Sequence, residues 1–482
     1  MRLAELDAVV VGAGPNGLAA AITLAREGLS VKVVEAAPTA GGGCRSEELT
    51  LPGFVHDTCS TVHGLAAASP FFRSLPVLGI VELCHPVAPL AHPLDGGLAA
   101  VMHRTLDETV RGLEAEGAAF GKLMKPLTTQ VDTLLAETLK PLRLPHSPVA
   151  LTRFGIRGAW PAAGLARRSL SGEASRALFG GTAAHSMLPL TTPFSAAFGL
   201  ILSTVAMTYG WPVVKGGSQR LSDALVSHLA TLGGEVETGR RVVTMRDLPP
   251  SRHVLFDLTP RQVLAIAGED LPPRYRSALA RYRYGPGVFK VDWALKEPIP
   301  WSAAACRQAG TVHLGGALGE IVDSERAVWT GRVSERPFVI LVQASLFDPT
   351  RAPAGRHTAW AYCHVPAGFR EDVTAKIEAQ VERFAPGFRD VVESRHVMPP
   401  ADMERRNPNY IGGDINGGLQ DMRQLFARPV ARFDPYSTPN PRLFICSSST
   451  PPGGGVHGMS GHLAARSLIR RLRSRPIPAG YR

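Results

Sequence analysis

The sequence lacks the patterns that would indicate several classes of protein. Its six cysteines include no Cys-x-x-Cys pair, and their spacing fits neither a disulfide framework nor a zinc site. Basic residues outnumber acidic ones, 52 to 41, but they are not interleaved with aromatic residues as in a nucleic-acid-binding surface. Histidines and carboxylates do not show the spacing of a metal site. We therefore expect a protein of a reducing compartment that binds neither nucleic acid nor a metal ion.

The sequence also has no apolar run typical of a membrane-spanning helix. Its most apolar stretch, residues 193–211, contains several serines and threonines and is bounded by Pro193 and Pro212, so it predicts a buried helix. The first strand begins within the opening residues, so we expect no cleavable signal and a cytoplasmic protein. A basic C-terminal helix, with Arg470 and Arg473, could add a weak peripheral contact with anionic lipid. The sequence does not indicate an oligomeric state.

The chain opens on a glycine turn between two β-like segments. Residues 8–11 are apolar, the turn G-A-G-P-N-G follows, and a helical pattern leads to a second strand that ends in Glu35. This is the order of a β-α-β dinucleotide-binding unit. The residues expected to contact the dinucleotide are Gly12, Gly14, Pro15, Asn16, Gly17, Glu35 and Ala36.

Each main position of this unit has a physical role. Gly12 permits the tight turn, Gly14 lets the backbone approach a pyrophosphate, and Gly17 lets the helix pack on the strand. Free N–H groups at the start of the helix are expected to face the phosphates. Glu35 is placed to accept hydrogen bonds from a ribose diol. A glycine-rich turn in an ordinary α/β protein is the alternative interpretation.

Two further loops make the interpretation more specific. Gly42, Gly43 and Arg45 follow the second strand, and a strand, a Pro-Gly-rich loop and a helix occur near the C-terminus. That C-terminal loop contributes Gly454, Gly455, Gly458 and Met459. The pair of motifs resembles the FAD-binding signature of the amine oxidase and phytoene desaturase superfamily. The resemblance implies non-covalent FAD, with Arg45 on a phosphate; a solvated surface charge is the alternative for Arg45.

A middle segment returns to the nucleotide-binding part. Residues 233–242 form a glycine turn and a β-favouring run, and the resemblance implies that the backbone of Val242 contacts the adenine ring. We therefore predict an α/β fold with a discontinuous Rossmann-like FAD-binding domain, a mixed-sheet substrate domain and a helical cap. The predicted segments are 1–105, 213–284 and 407–482 for FAD binding, 106–212 for the cap and 285–406 for the substrate-domain sheet.

Three polar residues are candidates for catalysis. Residues 288–295 alternate as in a half-buried strand. Lys290 within this strand is similar to a lysine of monoamine-oxidase-like enzymes that holds a water against flavin N5; a lysine on the solvent face is the alternative. Asp414 and Asn416 lie in a turn rich in glycine and asparagine, similar to a segment near the flavin in the same superfamily. A plain structural loop is the alternative for that turn.

The resemblance and the apolar cap together predict a function. Residues 175–210 carry few charges, so we expect a hydrophobic substrate such as a polyene, lipid or polyketide-like molecule. The resemblance implies an FAD-dependent, phytoene dehydrogenase-like desaturase, dehydrogenase or oxidase that takes a hydride from this substrate. A flavin-dependent isomerase or saturase and a non-catalytic FAD-binding protein are the alternatives. Because no second G-x-G-x-x-G is present, we expect oxygen, a quinone or another acceptor to reoxidise the flavin.

Overall fold

A five-stranded parallel sheet contains the opening β-α-β unit. In the computed structural model, which describes residues 5–141 and 145–474, its strands lie in the order β16-β10-β1-β2-β9. Their bounds are β1 Leu6–Val11, β2 Val31–Val34, β9 Glu235–Glu237, β10 Ser251–Phe256 and β16 Leu443–Ile445. The strands come from three separated stretches of the chain, which confirms the discontinuous Rossmann-like domain.

Helix α1, Pro15–Ala25, is the buried centre of this domain. Proline at its first position has the fixed φ of a helix start and needs no N–H partner there. Helices α12, Gln219–Thr231, and α20, Met459–Ser474, pack on α1. A Cβ at Gly461 of α20 would collide with the carbonyl oxygen of Asn16, so the two helices can be this close only with glycine at 461.

The second main sheet is mixed and has seven strands, in the order β15-β11-β14-β13-β12-β6-β7. All neighbours are antiparallel except β12 and β6. The bounds are β6 Ala88–Leu94, β7 Leu98–Met102, β11 Gly287–Leu295, β12 Ala309–Leu314, β13 Val339–Val342, β14 His357–Val365 and β15 Val392–Met398. Thus β6 and β7, which lie within the predicted segment 1–105, pair with the substrate-side strands.

Strand β11 differs from the expectation of a half-buried strand. All of its residues are buried, because β14 and β15 flank it and both faces of the sheet are covered at this point. Alternation along the sequence therefore marks two different environments inside the protein, and one of them is polar. Lys290 and Asp292 share that polar face.

Helices of the cap follow the second sheet's first strands. They are α5 Leu106–Gly112, α6 Gly117–Thr128, α7 Val131–Thr138, α8 Pro148–Gly158, α9 Ala162–Ser169, α10 Glu173–Ala184 and α11 Ser195–Ala206. Helix α11 is the buried helix predicted within 193–211. Among the described residues, no helix is both long enough and apolar enough to span a membrane. A peripheral contact of α20 with lipid stays a prediction.

Short elements complete the two domains. Two small antiparallel sheets pair β3 Ser46–Glu47 with β4 His56–Asp57, and β5 Leu83–Cys84 with β8 Val213–Val214. The remaining α-helices before the cap are α2 Gly64–Ala68, α3 Pro70–Arg73 and α4 Val77–Ile80. Those after α12 are α13 Pro260–Ala267, α14 Pro273–Ala280, α15 Leu318–Trp329, α16 Thr374–Phe384, α17 Phe388–Val391, α18 Pro400–Arg406 and α19 Met422–Ala427.

A buried ion network connects the small sheet of β3 and β4 and the start of α12 with the segment that precedes β14. Arg351 donates to Asp57 at 2.9 Å and to Asp348 at 2.7 Å, and all three side chains are excluded from solvent. Asp57 also accepts hydrogen bonds from the Ser218 N–H and the Ser46 hydroxyl, at 2.8 and 2.6 Å. Burial opposes ionisation of Asp57, yet these donors and the guanidinium lower its pKa below the usual value. The network fixes β4 and the start of α12 against the segment between β13 and β14.

Replacing Arg351 with methionine should destabilise the protein strongly, because it leaves two buried carboxylates without their cation. We expect the free energy of unfolding to fall by about 3–5 kcal/mol. The exposed ion pair of Arg356 and Glu393, 3.2 Å apart, provides the control. Arg356→Ala should change the free energy of unfolding by less than about 1 kcal/mol. Urea unfolding of both variants measures the difference; equal effects would contradict a structural role for the network.

Candidate functional site

One cavity of about 580 Å³ is shared by the two domains and the cap. We call its glycine-loop wall the dinucleotide side, and the predicted residues on it are Gly12, Gly14, Pro15, Asn16, Glu35, Ala36, Gly42, Gly43, Arg45, Val242 and Gly455. The wall formed by the cap and the second sheet is the cap side, and it includes His185, Trp211, Thr311, Trp360 and Tyr362. The glycine loops near Gly14 and Gly455, far apart in the chain, therefore face one space.

Glycines in the turn before α1 and in the loop after β2 let backbone segments pack where a side chain would not fit. Gly12 has a φ of +101°, a conformation that favours glycine. A Cβ at Gly14 would lie 2.6 Å from Oδ2 of Asp257, and a Cβ at Gly42 would lie 2.9 Å from the Cα of Gly14. Gly17 lies outside the cavity lining, and a Cβ there would collide with the carbonyl oxygen of Gly12. This backbone cradle fits a pyrophosphate close to a helix start.

Asp257 corrects one expectation for this helix start. It directly follows β10, and its Oδ2 accepts a hydrogen bond from the Gly17 N–H at 2.9 Å. The Gly17 donor is therefore not free for a phosphate. Burial raises the pKa of the Asp257 carboxyl well above its usual range, and the nearby charge of Glu35 raises it further. The sequence signal that could have identified Asp257 is a polar residue directly after a parallel strand, but the sequence alone does not show which strand is its neighbour.

Glu35 ends β2 and lines the dinucleotide side. Its Oε2 accepts from the Ala13 N–H at 2.6 Å, and its Oε1 accepts from the Ala37 N–H at 2.8 Å. A carboxylate has about four lone-pair sites, so capacity remains for a ribose diol. The Arg240 N–H donates to the carbonyl oxygen of Glu35 at 2.9 Å, which brings the segment of Val242 to the same wall.

Arginines surround the dinucleotide side. Arg45 is 6% exposed, and its guanidinium donates to the carbonyl oxygens of Gly42 and Arg406, each at 3.1 Å. It is therefore not a solvated surface charge. The other arginines of this wall have no local motif and were missed by the sequence analysis: Arg240, Arg241, Arg405 and Arg406. Guanidinium groups suit phosphate oxygens, so this wall can hold a dinucleotide's anionic centre.

The C-terminal loop is shaped by a histidine inside it. His457 is buried, its Nε2 lies 3.1 Å from the carbonyl oxygen of Gly453, and its Nδ1 accepts from the Met459 N–H at 3.0 Å. These two contacts of His457 hold the loop in a conformation in which Gly455 lines the cavity. The other predicted residues of the loop lie outside the lining, and these are Gly454, Gly458 and Met459.

Lys290 is buried behind an aromatic ring. It is 1% exposed, its ammonium pairs with Asp292, and it lies 5.1 Å from the centroid of the Trp360 ring. His56 and His396 approach the same carboxylate, at 3.6 and 3.7 Å. Trp360 lines the cavity and Lys290 does not. Lys290 is thus not on a solvent face, and its charge lies beside the ring of Trp360, which lines the cavity.

Of the two candidate catalytic residues in the turn rich in asparagine and glycine, only Asn416 lines the cavity. Its Nδ2 lies 3.0 Å from the sulfur of Met187. Asp414 lies outside the lining and is 1% exposed. Its carboxylate accepts from the N–H groups of Gly285 and Asn416, at 2.7 and 2.8 Å. Asp414 therefore holds the turn, while Asn416 can contact a bound molecule.

The cap side is mainly aromatic and aliphatic. The rings of Trp360 and Tyr362 stack with centroids 5.7 Å apart and 12° between their planes. Trp211 meets His185 edge to face at 5.8 Å. The cap was predicted to contribute here, but the residues of the second sheet were not, because they lie on separate strands with no shared motif.

The raised pKa of Asp257 gives a pH-dependent stability. The folded chain holds a proton at this carboxyl that the unfolded chain loses above about pH 4. The free energy of unfolding therefore falls as the pH rises above that value. Asp257→Asn removes the titration but keeps an acceptor for Gly17. We expect the stability lost between pH 5 and pH 8, measured by urea unfolding, to be smaller in this variant. An unchanged pH dependence would contradict the assignment. Asp257→Ala, which removes the acceptor for the Gly17 N–H, should have a lower free energy of unfolding than the wild-type protein at both pH values.

Similarity to a known domain family covers the opening unit. Residues 10–75 match the NAD(P)-binding Rossmann-like domain family. The match begins within β1, includes the glycine turn, α1, β2 and the loop that carries Arg45, and extends just past α3. It thus agrees with the dinucleotide-binding geometry of this part of the cavity.

Similarity to individual proteins extends over nearly the whole chain. Pyridine nucleotide-disulfide oxidoreductase domain-containing protein 2 of Mus musculus is 27% identical, over 98% of this chain and 94% of the mouse protein. Hydroxyneurosporene desaturase of Cereibacter sphaeroides is 25% identical, over 98% of this chain and 100% of the desaturase. Wild-type putrescine oxidase bound to putrescine shares the fold, with a TM-score of 0.60 at 18% identity, over 98% of this chain and 99% of that one. With the two-sheet architecture and the paired glycine loops, these similarities support the resemblance to the phytoene desaturase-like amine oxidase superfamily of oxidoreductases, whose members are generally flavoproteins.

Proposed function

We propose that this protein is an FAD-dependent oxidoreductase that takes a hydride from a hydrophobic substrate. The observation that carries the proposal is the single cavity, in which two glycine loops and an arginine-rich wall meet an aromatic cap side. A dinucleotide and an apolar molecule can therefore lie side by side in one cavity. Where the two bound molecules exclude water between them, the electrostatic interactions inside the site become stronger.

The dinucleotide side has the groups that FAD would need. The cradle of Gly12, Gly14 and Gly42 suits the pyrophosphate, and the arginine wall offers charge for it. Glu35 keeps acceptor capacity for the ribose, and Val242 contributes a backbone next to it. When bound, the flavin supplies the two-electron acceptor. The chain's own groups bind it without a covalent bond, orient the substrate and exclude water.

The cap side favours a large, neutral substrate. Leu202, Ile340 and Val342 line it beside the stacked aromatic rings, and Asn416 adds an amide near the dinucleotide side. The similarity to a hydroxyneurosporene desaturase supports a polyene or another lipid-like molecule. Such a substrate gains affinity by burying apolar surface, at roughly 25 cal/mol per Å². Desaturation or oxidation is the proposed reaction, with isomerisation or saturation as the alternative outcome of the test below.

The purified protein should be yellow, and denaturation should release FAD. Adding lipophilic extract fractions without oxygen should bleach the flavin in the presence of the substrate, because hydride transfer reduces it. If substrate turnover instead requires a flavin reduced beforehand and the substrate only gains hydrogen or changes geometry, the protein is a saturase or isomerase. A colourless protein that cannot be reconstituted with FAD would refute the proposal.

A matched pair of glycine variants tests the cradle. Gly14→Ala places a Cβ 2.6 Å from Asp257, whereas a Cβ at Gly319 on α15 meets no atom within 4 Å. We expect Gly14→Ala to lose most of its bound FAD and Gly319→Ala to keep it. The ratio of flavin to protein absorbance measures both, and equal retention would place the dinucleotide elsewhere.

Lys290 can be tested as an electrostatic residue beside Trp360. We propose that its charge promotes the reaction of reduced flavin with oxygen. Lys290→Met alone would leave Asp292 buried without its cation, and Asp292→Asn alone would leave Lys290 buried without its anion, so both residues are replaced together. Lys290→Met/Asp292→Asn should slow reoxidation by about tenfold relative to the wild-type protein, measured by stopped-flow absorbance. An unchanged rate, with the same fold and FAD content, would leave Lys290 a purely structural residue.

A further inference from the structure

A chain of three histidines begins at the cap side of the cavity. His185 caps the C-terminal end of α10 and lines the cavity. Its Nε2 lies 3.0 Å from Nε2 of His313, so one ring donates to the other. No partner for its second nitrogen, Nδ1, occurs among the described residues. His185 can therefore present Nδ1 to a bound molecule while His313 supports it from behind.

His313 and His92 continue this chain into the protein. His313 lies on β12, two residues after Thr311, so both side chains emerge on the same face of the sheet. His92 lies on the neighbouring strand β6, and its Nε2 is 2.8 Å from the carbonyl oxygen of Gly316. Both rings are fully buried, and Nδ1 of each has no hydrogen-bond partner among the described residues. Buried nitrogens of this kind are rarely left unpaired.

The two unpaired nitrogens both lie close to Gly181. A Cβ at this position of α10 would lie 2.8 Å from Nδ1 of His313 and 3.1 Å from Nδ1 of His92. The nitrogens share no direct hydrogen bond, but both face the surface of this glycine. Any side chain at position 181 would press on both rings. The transfer proposed below therefore needs a water that reaches both nitrogens.

Burial keeps these rings neutral. It lowers the pKa of His185 to about 3 and that of His92 to about 4, and it lowers the pKa of His313 well below its usual value. The imidazole of His364, which pairs with Glu325 at 2.8 Å, further lowers the pKa of His185 and His313. Only on His92 does a carboxylate, Glu320, raise the pKa against burial. A positive charge is therefore least costly at the His92 end.

The hydrogen-bond partners restrict which nitrogen carries each proton. A carbonyl oxygen only accepts, so His92 holds its proton on Nε2 and offers Nδ1 as an acceptor. In one arrangement His313 donates from Nδ1 through the water to His92, and His185 donates from Nε2 to His313. The cavity-facing Nδ1 of His185 then carries a lone pair and can act as a base.

We propose that His185 accepts the proton that the substrate loses when its hydride leaves, and that His313 and His92 carry this proton away from the cavity. The inference rests on the proposed function. Two substrate bonds to hydrogen break: one hydride goes to the oxidised flavin, and the electron pair of the second bond forms the new double bond. The proton binds Nδ1 of His185, the Nε2 proton of His185 moves to His313, and the Nδ1 proton of His313 passes through the water to His92. The charge then rests on His92, on the side of Glu320.

The first test needs no substrate. The holoenzyme is labelled with ¹⁵N-histidine, and the ring signals are assigned with His185→Gln, His313→Gln and His92→Gln. We expect all three rings to stay neutral between about pH 5 and pH 8, with the His92 proton on Nε2. A His92 proton on Nδ1 would overturn the relay, because His92 could not then accept a proton at that nitrogen.

The second test measures anaerobic flavin reduction by the extract fraction that bleaches the wild-type protein. His185→Gln should slow it by about 100-fold or more at unchanged FAD content, because general base catalysis contributes about 10²–10⁴-fold. His313→Gln should slow it less and leave the half-saturating substrate concentration unchanged, since His313 acts through His185. The exposed His146→Gln is the control and should bleach at the wild-type rate.

The outcomes separate the two proposals. If the wild-type protein and His185→Gln bleach equally fast, the relay is refuted and the proposed function stands. If the wild-type protein holds FAD but no fraction bleaches it, the proposed oxidation fails and His185 has no substrate proton to accept. If His185→Gln does not fold, the rate of flavin reduction in His313→Gln decides the relay, and a wild-type rate there refutes it.

Discussion

The site depends on how closely backbone segments approach one another around the start of α1. The carbonyl oxygen of Gly12 occupies the position of a side chain at Gly17, and the carbonyl oxygen of Asn16 does so at Gly461. Likewise, a Cβ at Gly42 would lie only 2.9 Å from the Cα of Gly14. Because a single Cβ at any of these positions would force the segments apart, the first helix, the loop after β2 and the last helix can share one cavity only with glycine there. This constraint joins residues more than 400 positions apart in the chain.

The sequence was most informative where function needs local backbone geometry. The glycine turn, the strand before it and Glu35 lie within one short stretch, and the second glycine loop repeats the pattern near Gly455. Both could be recognised because the spacing of glycines is itself the physical requirement. Asp257 was missed for the opposite reason. Its role comes from strand order, since β10 lies beside β1 in the sheet, and no residue near it in the sequence reveals that neighbour.

Burial explains why the candidate catalytic residues were harder to place. Alternation predicted one solvent-facing side for β11, but both sides are covered, so Lys290 pairs with Asp292 inside the protein. The histidine chain takes one ring each from α10, β12 and β6. Such a cluster has no sequence spacing, because only the packing of the cap on the second sheet brings the rings together. Polar groups that act through tertiary contact cannot be found from local pattern alone.

The two sides of the cavity handle charge in different ways, and this difference suits the proposed chemistry. On the dinucleotide side, fixed guanidinium groups and helix N–H groups can compensate a permanently anionic cofactor. On the cap side a charged base would attract water and weaken binding of an apolar substrate. A neutral imidazole avoids this cost, provided that the proton it accepts does not remain there as charge. In the proposed relay, moving that proton to His92, behind the cap side, would let a hydrophobic pocket carry out proton chemistry while its surface stays uncharged.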